Sequence, residues 1–225
     1  MSAISRGKKG EDKVKKLLRE KIKVYHKVIN DLTFINEKSE MSHQIDHLLI
    51  HPYGVFVIET KNYYGVIHSD THDSFWLKEV KGKVEKIGDP LKQNKSHVRM
   101  VKKYLANDID VIPVVVFIKN NAPYMGDENV INYKDLLLFI STYPYRREMD
   151  KKEIDSIYKI LKENSSKITK TEHLQNIEYL KQIRKENQAE ISEALESRIC
   201  PRCGGAIIVS SSGFKCNKCD FKFKF

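Results

Sequence analysis

Three side chains in one short stretch could do chemistry together: Asp46, Glu59 and Lys61. Between the two acids lies His51-Pro52-Tyr53-Gly54, whose proline and glycine mark a tight connection. It joins Gln44 to Ile50 and Val55 to Lys61, both with strand composition. If the connection sets Ile50 opposite Val55, antiparallel register puts Asp46 opposite Glu59. Alternation along a strand then gives Gln44, Asp46, Leu48 and Ile50 one face with Val55, Val57, Glu59 and Lys61. An apolar stripe therefore ends in two acids and a lysine. Like charges opposed across a sheet repel, and a buried unpaired carboxylate costs several kcal/mol, so something must neutralise them. Hard divalent cations such as Mg2+ or Mn2+ take carboxylate oxygens plus water, which makes Asp46 and Glu59 expected metal ligands. The plainer alternative is a Lys61–Glu59 ion pair with Asp46 solvated at a strand end; the conjunction of all three residues favours the metal.

A second constellation closes the chain. The four cysteines form two CxxC knuckles, Cys200-Pro-Arg-Cys203 and Cys216-Asn-Lys-Cys219, with twelve residues between them. Four thiolates at this spacing suit a tetrahedral Zn2+ site, closed to substrate and structural, on which folding depends. A zinc ribbon follows, with strands expected at Ala206 to Val209, Phe214 to Lys215 and Phe221 to Phe225. Its sequence interleaves rings and cations, so Phe214 and Phe223 are candidates to stack on bases and Lys215, Lys222 and Lys224 to contact phosphates. Equally, alternate phenylalanines on so small a module could be its core.

The elements that must position these residues are readable in outline. Val14, Leu17, Leu18 and Ile22 recur at helical spacing over about Lys8 to Leu18, and Val24 to Ile29 alternates like a strand. A second hairpin surrounds Lys81-Gly82-Lys83, and Asp89-Pro90 caps a helix expected to run to about Ala106. Residues Val111 to Ile118 are almost wholly apolar, as in a strand buried on both faces, and the strand, helix, strand order implies a parallel crossover. From Asp150 to Ser197 the chain is helical and highly charged, with Ile154, Ile157 and Leu161 on one stripe. Three parts are expected: 1–145 as the main domain, 146–197 as a helical extension and arm, and 198–225 as the ribbon.

Composition narrows the partners. The 225 residues hold 40 Lys and Arg against 30 Asp and Glu, a net charge of +10 that suits a polyanion. No apolar run reaches the ~20 residues that span a bilayer, and the N-terminus lacks an export signal, so no membrane partner and a cytoplasmic address are expected.

Two helical positions could serve the acidic site. Glu11 lies on the apolar side of the first helix, where it could face a metal, although the helix dipole favours an acid there regardless. Gln93 and His97 share a face at i, i+4. A lone histidine beside an apolar face is usually structural, which applies to His97 and to His26, His43, His47 and His51.

Taken together, Gly10-Glu11, Gln44-Ile-Asp46-His-Leu, Gly54-Val-Phe-Val-Ile-Glu59-Thr-Lys61-Asn-Tyr63-x-Gly65 and Asp89-Pro-Leu-x-Gln93-Asn94 resemble the nuclease-related domain, NERD, of the PD-(D/E)XK superfamily. The resemblance spans about Gly7 to Ile118, with Ile45 standing where the motif has proline. It implies an α/β fold of the restriction-endonuclease-like kind, a mixed αβββαβ sheet core flanked by helices. It also implies metal-dependent phosphodiester cleavage, with Asp46, Glu59 and Lys61 as central triad and Gln93 close to the phosphate. The ribbon resembles the small four-cysteine domains at the ends of DNA topoisomerases. The function expected is a metal-dependent deoxyribonuclease acting on DNA rather than RNA; the alternative is a DNA-binding or scaffolding protein that does not cut.

Overall fold

The computed structural model describes residues 3–36, 41–69, 75–123 and 129–224; the side chains of residues 3, 4, 170, 184 and 224 are outside that description. The chain divides into two compact units, one ending at Lys170 and the other starting at Thr171.

The first unit is built on a mixed five-stranded sheet. Helix α1 (Ala3–Lys21) precedes β1 (Lys27–Ile35), β2 (Ser42–His51) and β3 (Gly54–Lys61), three antiparallel strands. The parallel strands β7 (Val111–Phe117) and β8 (Val130–Asn132) complete the order β1-β2-β3-β7-β8. Between β3 and β7 the chain inserts a separate antiparallel meander, β4 (Val66–His68), β5 (Phe75–Val80) and β6 (Lys83–Gly88), and then α2 (Pro90–Lys102). The hairpin expected around Lys81-Gly82 is β5–β6, and β3 and β7 run parallel as expected.

Both faces of the sheet are covered. Val14 and Leu18 of α1 and Leu136 and Ile140 of α3 (Leu136–Thr142) pack against Leu49, Phe56, Ile58, Ile112, Val114 and Val116. On the other side, Val98 and Val101 of α2 and Ile154, Ile157 and Leu161 of α4 (Lys151–Glu163) meet Leu48, Ile50, Val55 and Val57. With helices on both sides, β3 and β7 lose their alternation and are buried almost throughout.

Local chemistry fixes the helix ends. Asp89 caps α2 by accepting from the N–H groups of Leu91 and Lys92 at 2.8 and 2.9 Å, with Pro90 in the first turn. The helix closes at Lys102, short of the expected Ala106, because Lys103, Tyr104 and Leu105 turn back to carbonyls three residues earlier. Asp150 and Glu153 form a reciprocal capping box on α4.

In the second unit, α5 (Lys170–Ser197) leads into a three-stranded antiparallel ribbon: β9 (Ile207–Ser210), β10 (Gly213–Cys216) and β11 (Lys222–Lys224). Phe214, Phe221, Ile207, Cys200 and Cys216 form its small core, against which Ile191, Ala194 and Leu195 of α5 pack. Among the described residues, no helix is long and apolar enough to cross a membrane.

Candidate functional site

The β2–β3 hairpin has the anticipated register, with Ile50 opposite Val55, Leu48 opposite Val57 and His47 opposite Ile58. The ladder closes at His47–Ile58, one step short of Asp46 and Glu59. On the outer side of β2, the ladder to β1 passes over Asp31, whose backbone is left-handed (φ 53°). Asp46 thus stands where pairing lapses on both sides, and its Oδ2 accepts the N–H of Thr60 at 2.8 Å.

Glu59 is 4% exposed. Its Oε1 takes the Lys61 ammonium at 2.6 Å. Its Oε2 is buried and accepts no hydrogen bond, with His97 Nδ1 at 3.6 Å. Lys61 Nζ also donates to Gln93 Oε1 at 3.2 Å, which ties the end of β3 to the face of α2. Gln93 and His97 therefore approach the same Lys61–Glu59 pair from α2, while His97 meets His43 edge-on at 5.8 Å.

Asn94, fully buried between them, donates from Nδ2 to Val57 O at 2.8 Å and Val114 O at 3.0 Å. That one amide fixes the height of α2 over both β3 and β7. On the opposite side, Gly10 gives α1 its close approach, since a Cβ there would lie 3.0 Å from the Cβ of Asn62 and 3.2 Å from Ile118. Asn62 in turn donates to Arg6 O at 2.7 Å.

Electrostatically the site is short of positive charge. Burial holds the Asp46 carboxyl well above its usual range, the negative charges of Glu59 and then Glu11 add to the effect, and the Thr60 N–H and Lys61 oppose it. For Lys61, burial alone would favour the neutral amine, but the charge and hydrogen bond of Glu59, together with Tyr63 and the charge of Asp46, outweigh it and raise the ammonium above its ordinary value. An acid that clings to its proton and a buried carboxylate oxygen without a hydrogen bond are what a divalent cation would relieve, so Asp46 and Glu59 fit as carboxylate ligands. Glu11 lies near enough for its charge to act on Asp46. Among the described residues, the only group of three or more potential ligands whose atoms all lie within 4.8 Å is the cysteine cluster.

That cluster contains Cys200, Cys203, Cys216 and Cys219. The pairs Cys200–Cys219 and Cys203–Cys216 stand 3.7 and 3.5 Å apart, close to the ~3.8 Å edge of a tetrahedron with 2.3 Å metal–sulfur bonds. The Lys218 N–H, 3.3 Å from its sulfur, brings the Cys216 thiol down to about 6. The Phe221 N–H favours the Cys219 thiolate too, yet the neighbouring sulfurs and burial push that thiol up to about 12. Four such sulfurs, bound as thiolates, fit the coordination of one dication, which offsets half of their charge.

The ribbon sorts its rings from its cations. Phe214 pairs with Val209 and Phe223, whereas Lys215 pairs with Ile208 and Lys222, so the pleat sends the two sets to opposite faces. Phe214 is 4% exposed and packed on Phe221, which corrects its expected role as a stacking ring; a core residue offers a base no face. Phe223 keeps 41% exposure, Lys215 and Lys222 are exposed, and the Lys224 side chain lies outside the described residues.

A mixed sheet carrying two carboxylates and a lysine at one end of a hairpin defines a nuclease-related α/β domain. The sequence model of the nuclease-related domain, NERD, matches residues 6–118, half of the chain, and the protein belongs to that family. An uncharacterized protein of Bacillus anthracis is 29% identical over 143 residues, covering 61% of this chain and 67% of the relative. No solved structure matches.

Proposed function

We propose that the protein is a divalent-metal-dependent nuclease that hydrolyses phosphodiester bonds in DNA. The observation that carries this reading is Glu59 Oε2, buried and without a hydrogen bond beside an Asp46 whose carboxyl resists ionisation. Asp46 and Glu59 would hold Mg2+ or Mn2+, which when bound supplies an activated water and polarises the phosphate. Lys61 is held in place by Glu59 and Gln93, so its ammonium is ready to stabilise charge that builds on the phosphate. Gln93 positions Lys61, and Glu11 adds negative field that strengthens cation binding. The helix dipole alone would not require Glu11 to lie close to Asp46.

In the same reading the four cysteines hold a structural Zn2+, and the Lys215–Lys222 face of the ribbon contacts phosphates. The net charge of +10 favours such a partner. The three functional parts we assign are 1–145 as nuclease, 146–197 as extension and arm, and 198–225 as ribbon. One observation favours a DNA-binding protein without cleavage: Lys61 already neutralises one oxygen of Glu59 at 2.6 Å. Incubating the purified protein with linear, circular and single-stranded DNA in Mg2+, Mn2+ or EDTA separates the two. Cleavage dependent on metal supports the nuclease, and binding without cleavage in every condition supports the alternative.

A further inference from the structure

Residues 62–65 leave the acidic site at the end of β3, and their geometry is more constrained than a loop connection requires. Asn121 donates from Nδ2 to the carbonyls of Tyr63 at 3.1 Å and Gly65 at 2.8 Å, the two residues that flank Tyr64. Gly65 has φ 88°, and a Cβ there would collide with the Glu79 carbonyl oxygen. The backbone on both sides of Tyr64 is therefore pinned.

What is pinned there is a ring in solvent. Tyr64 is 52% exposed, and Lys119 places its Nζ 4.5 Å from the ring centroid. Lys119 is exposed as well and directly follows Ile118, whose N–H bonds to Lys61 O at 3.0 Å. Ring and cation thus sit at the ends of β3 and β7, the same end of the sheet at which Glu59 and Lys61 stand. Rigid exposure of an aromatic side chain contributes nothing to the core, which takes Tyr63 and Phe117 instead.

We propose that Tyr64 and Lys119 form a landing site for single-stranded nucleic acid at the rim of the acidic site. An unpaired base stacks on the Tyr64 ring and the adjoining phosphate meets Lys119. Stacking on a side chain whose backbone is already fixed loses little entropy, and it demands a base released from its own duplex stack. Single strands and frayed ends therefore bind here, and continuous duplex does not. The inference deepens the nuclease reading by naming the form of its substrate, yet it concerns binding and needs no cleavage.

The test is the affinity of the full zinc-loaded chain for a fluorescent single-stranded oligonucleotide and for a closed circular duplex, both without added Mg2+ or Mn2+. Wild type, Tyr64→Phe, Tyr64→Ala and Lys119→Gln are compared after circular dichroism has shown each to be folded. Expected is a loss of single-strand affinity in Tyr64→Ala of about tenfold, within the ~5- to 150-fold range of one base stack. Tyr64→Phe retains wild-type affinity, Lys119→Gln weakens binding at low salt, and duplex affinity is unchanged in Tyr64→Ala. Unaltered single-strand binding by Tyr64→Ala, equal losses on both DNAs, or no single-strand binding by wild type overturns the proposal. None of these outcomes bears on whether the protein cleaves with metal, which the incubation in Mg2+ or Mn2+ decides by itself.

Discussion

Replacing Asp46 by Asn separates the chemistry of the acidic site from its cost to the fold. The amide keeps the shape and an oxygen that can accept the Thr60 N–H, now 2.8 Å from Asp46, while the charge is removed. Metal-dependent cleavage should fall by orders of magnitude, as when a group acting on the transition state is lost. Without metal, stability should rise. Two like charges about 5 Å apart at an effective dielectric of ~20 repel by about 3 kcal/mol. The Lys61 ammonium, 2.6 Å from Glu59, offsets part of this. The net gain is then on the order of 1–2 kcal/mol, or a few degrees in Tm for a chain of this size.

The pH dependence gives the sharper test. The Asp46 carboxyl is raised in the folded state, so the native protein holds a proton that the unfolded chain has released. Its contribution to stability is full below the unfolded carboxylate value of about 3.9 and is lost as pH rises through the raised folded value. Thermal melts in EDTA should show little difference between wild type and Asp46→Asn near pH 4 and a growing advantage for the mutant above it. A mutant less stable at neutral pH, or an advantage that shrinks as pH rises, would refute the electrostatic account. Undiminished cleavage would remove Asp46 from the mechanism.

Three further outcomes are expected. Lys61→Met, unlike Asp46→Asn, should lower metal-free stability by about 3 kcal/mol, because it strands Glu59 as a buried unpaired charge; a melt unchanged in EDTA would contradict this. Cys216→Ser should bind less than one zinc per chain by elemental analysis and unfold the ribbon, with the first unit retaining its own thermal transition. Lys215→Gln with Lys222→Gln should flatten the slope of log affinity against log salt on duplex DNA by roughly 2, about 0.9 for each lost phosphate contact; an unchanged slope would point to a protein partner for that face.

The hairpin was legible because its period of two and its Pro-Gly connection leave one register that buries the apolar stripe. Strand β7 was legible from its apolar run, and α2 from Asp89-Pro90. The lapse of pairing beside Asp46 was not, since it depends on a left-handed Asp31 that no local signal announces. Strands β4 and β8, at three residues each, are too short to show a period. His97 offered only its helical spacing to Gln93; its approach to Glu59 comes from α2 crossing β3, and these residues lie 38 positions apart in the chain. In the ribbon the cue was present, because strict alternation of Phe and Lys on a strand already assigns rings and cations to opposite faces.

The chain has one tryptophan, and its place makes it an optical gauge. Trp76 is fully buried among Ile67, Leu91, Val115 and Phe117, and its ring lies nearly parallel to Phe117 at 6.2 Å. Phe117 is in turn the ladder partner of Lys61. Its emission therefore reports on one locality, the seam where the meander rests on the sheet beside the end of β3. A red shift signals that this seam has opened to water, and the second unit, having no tryptophan, is silent at the same wavelengths. Intrinsic fluorescence and zinc release can thus follow the two units separately in one unlabelled sample.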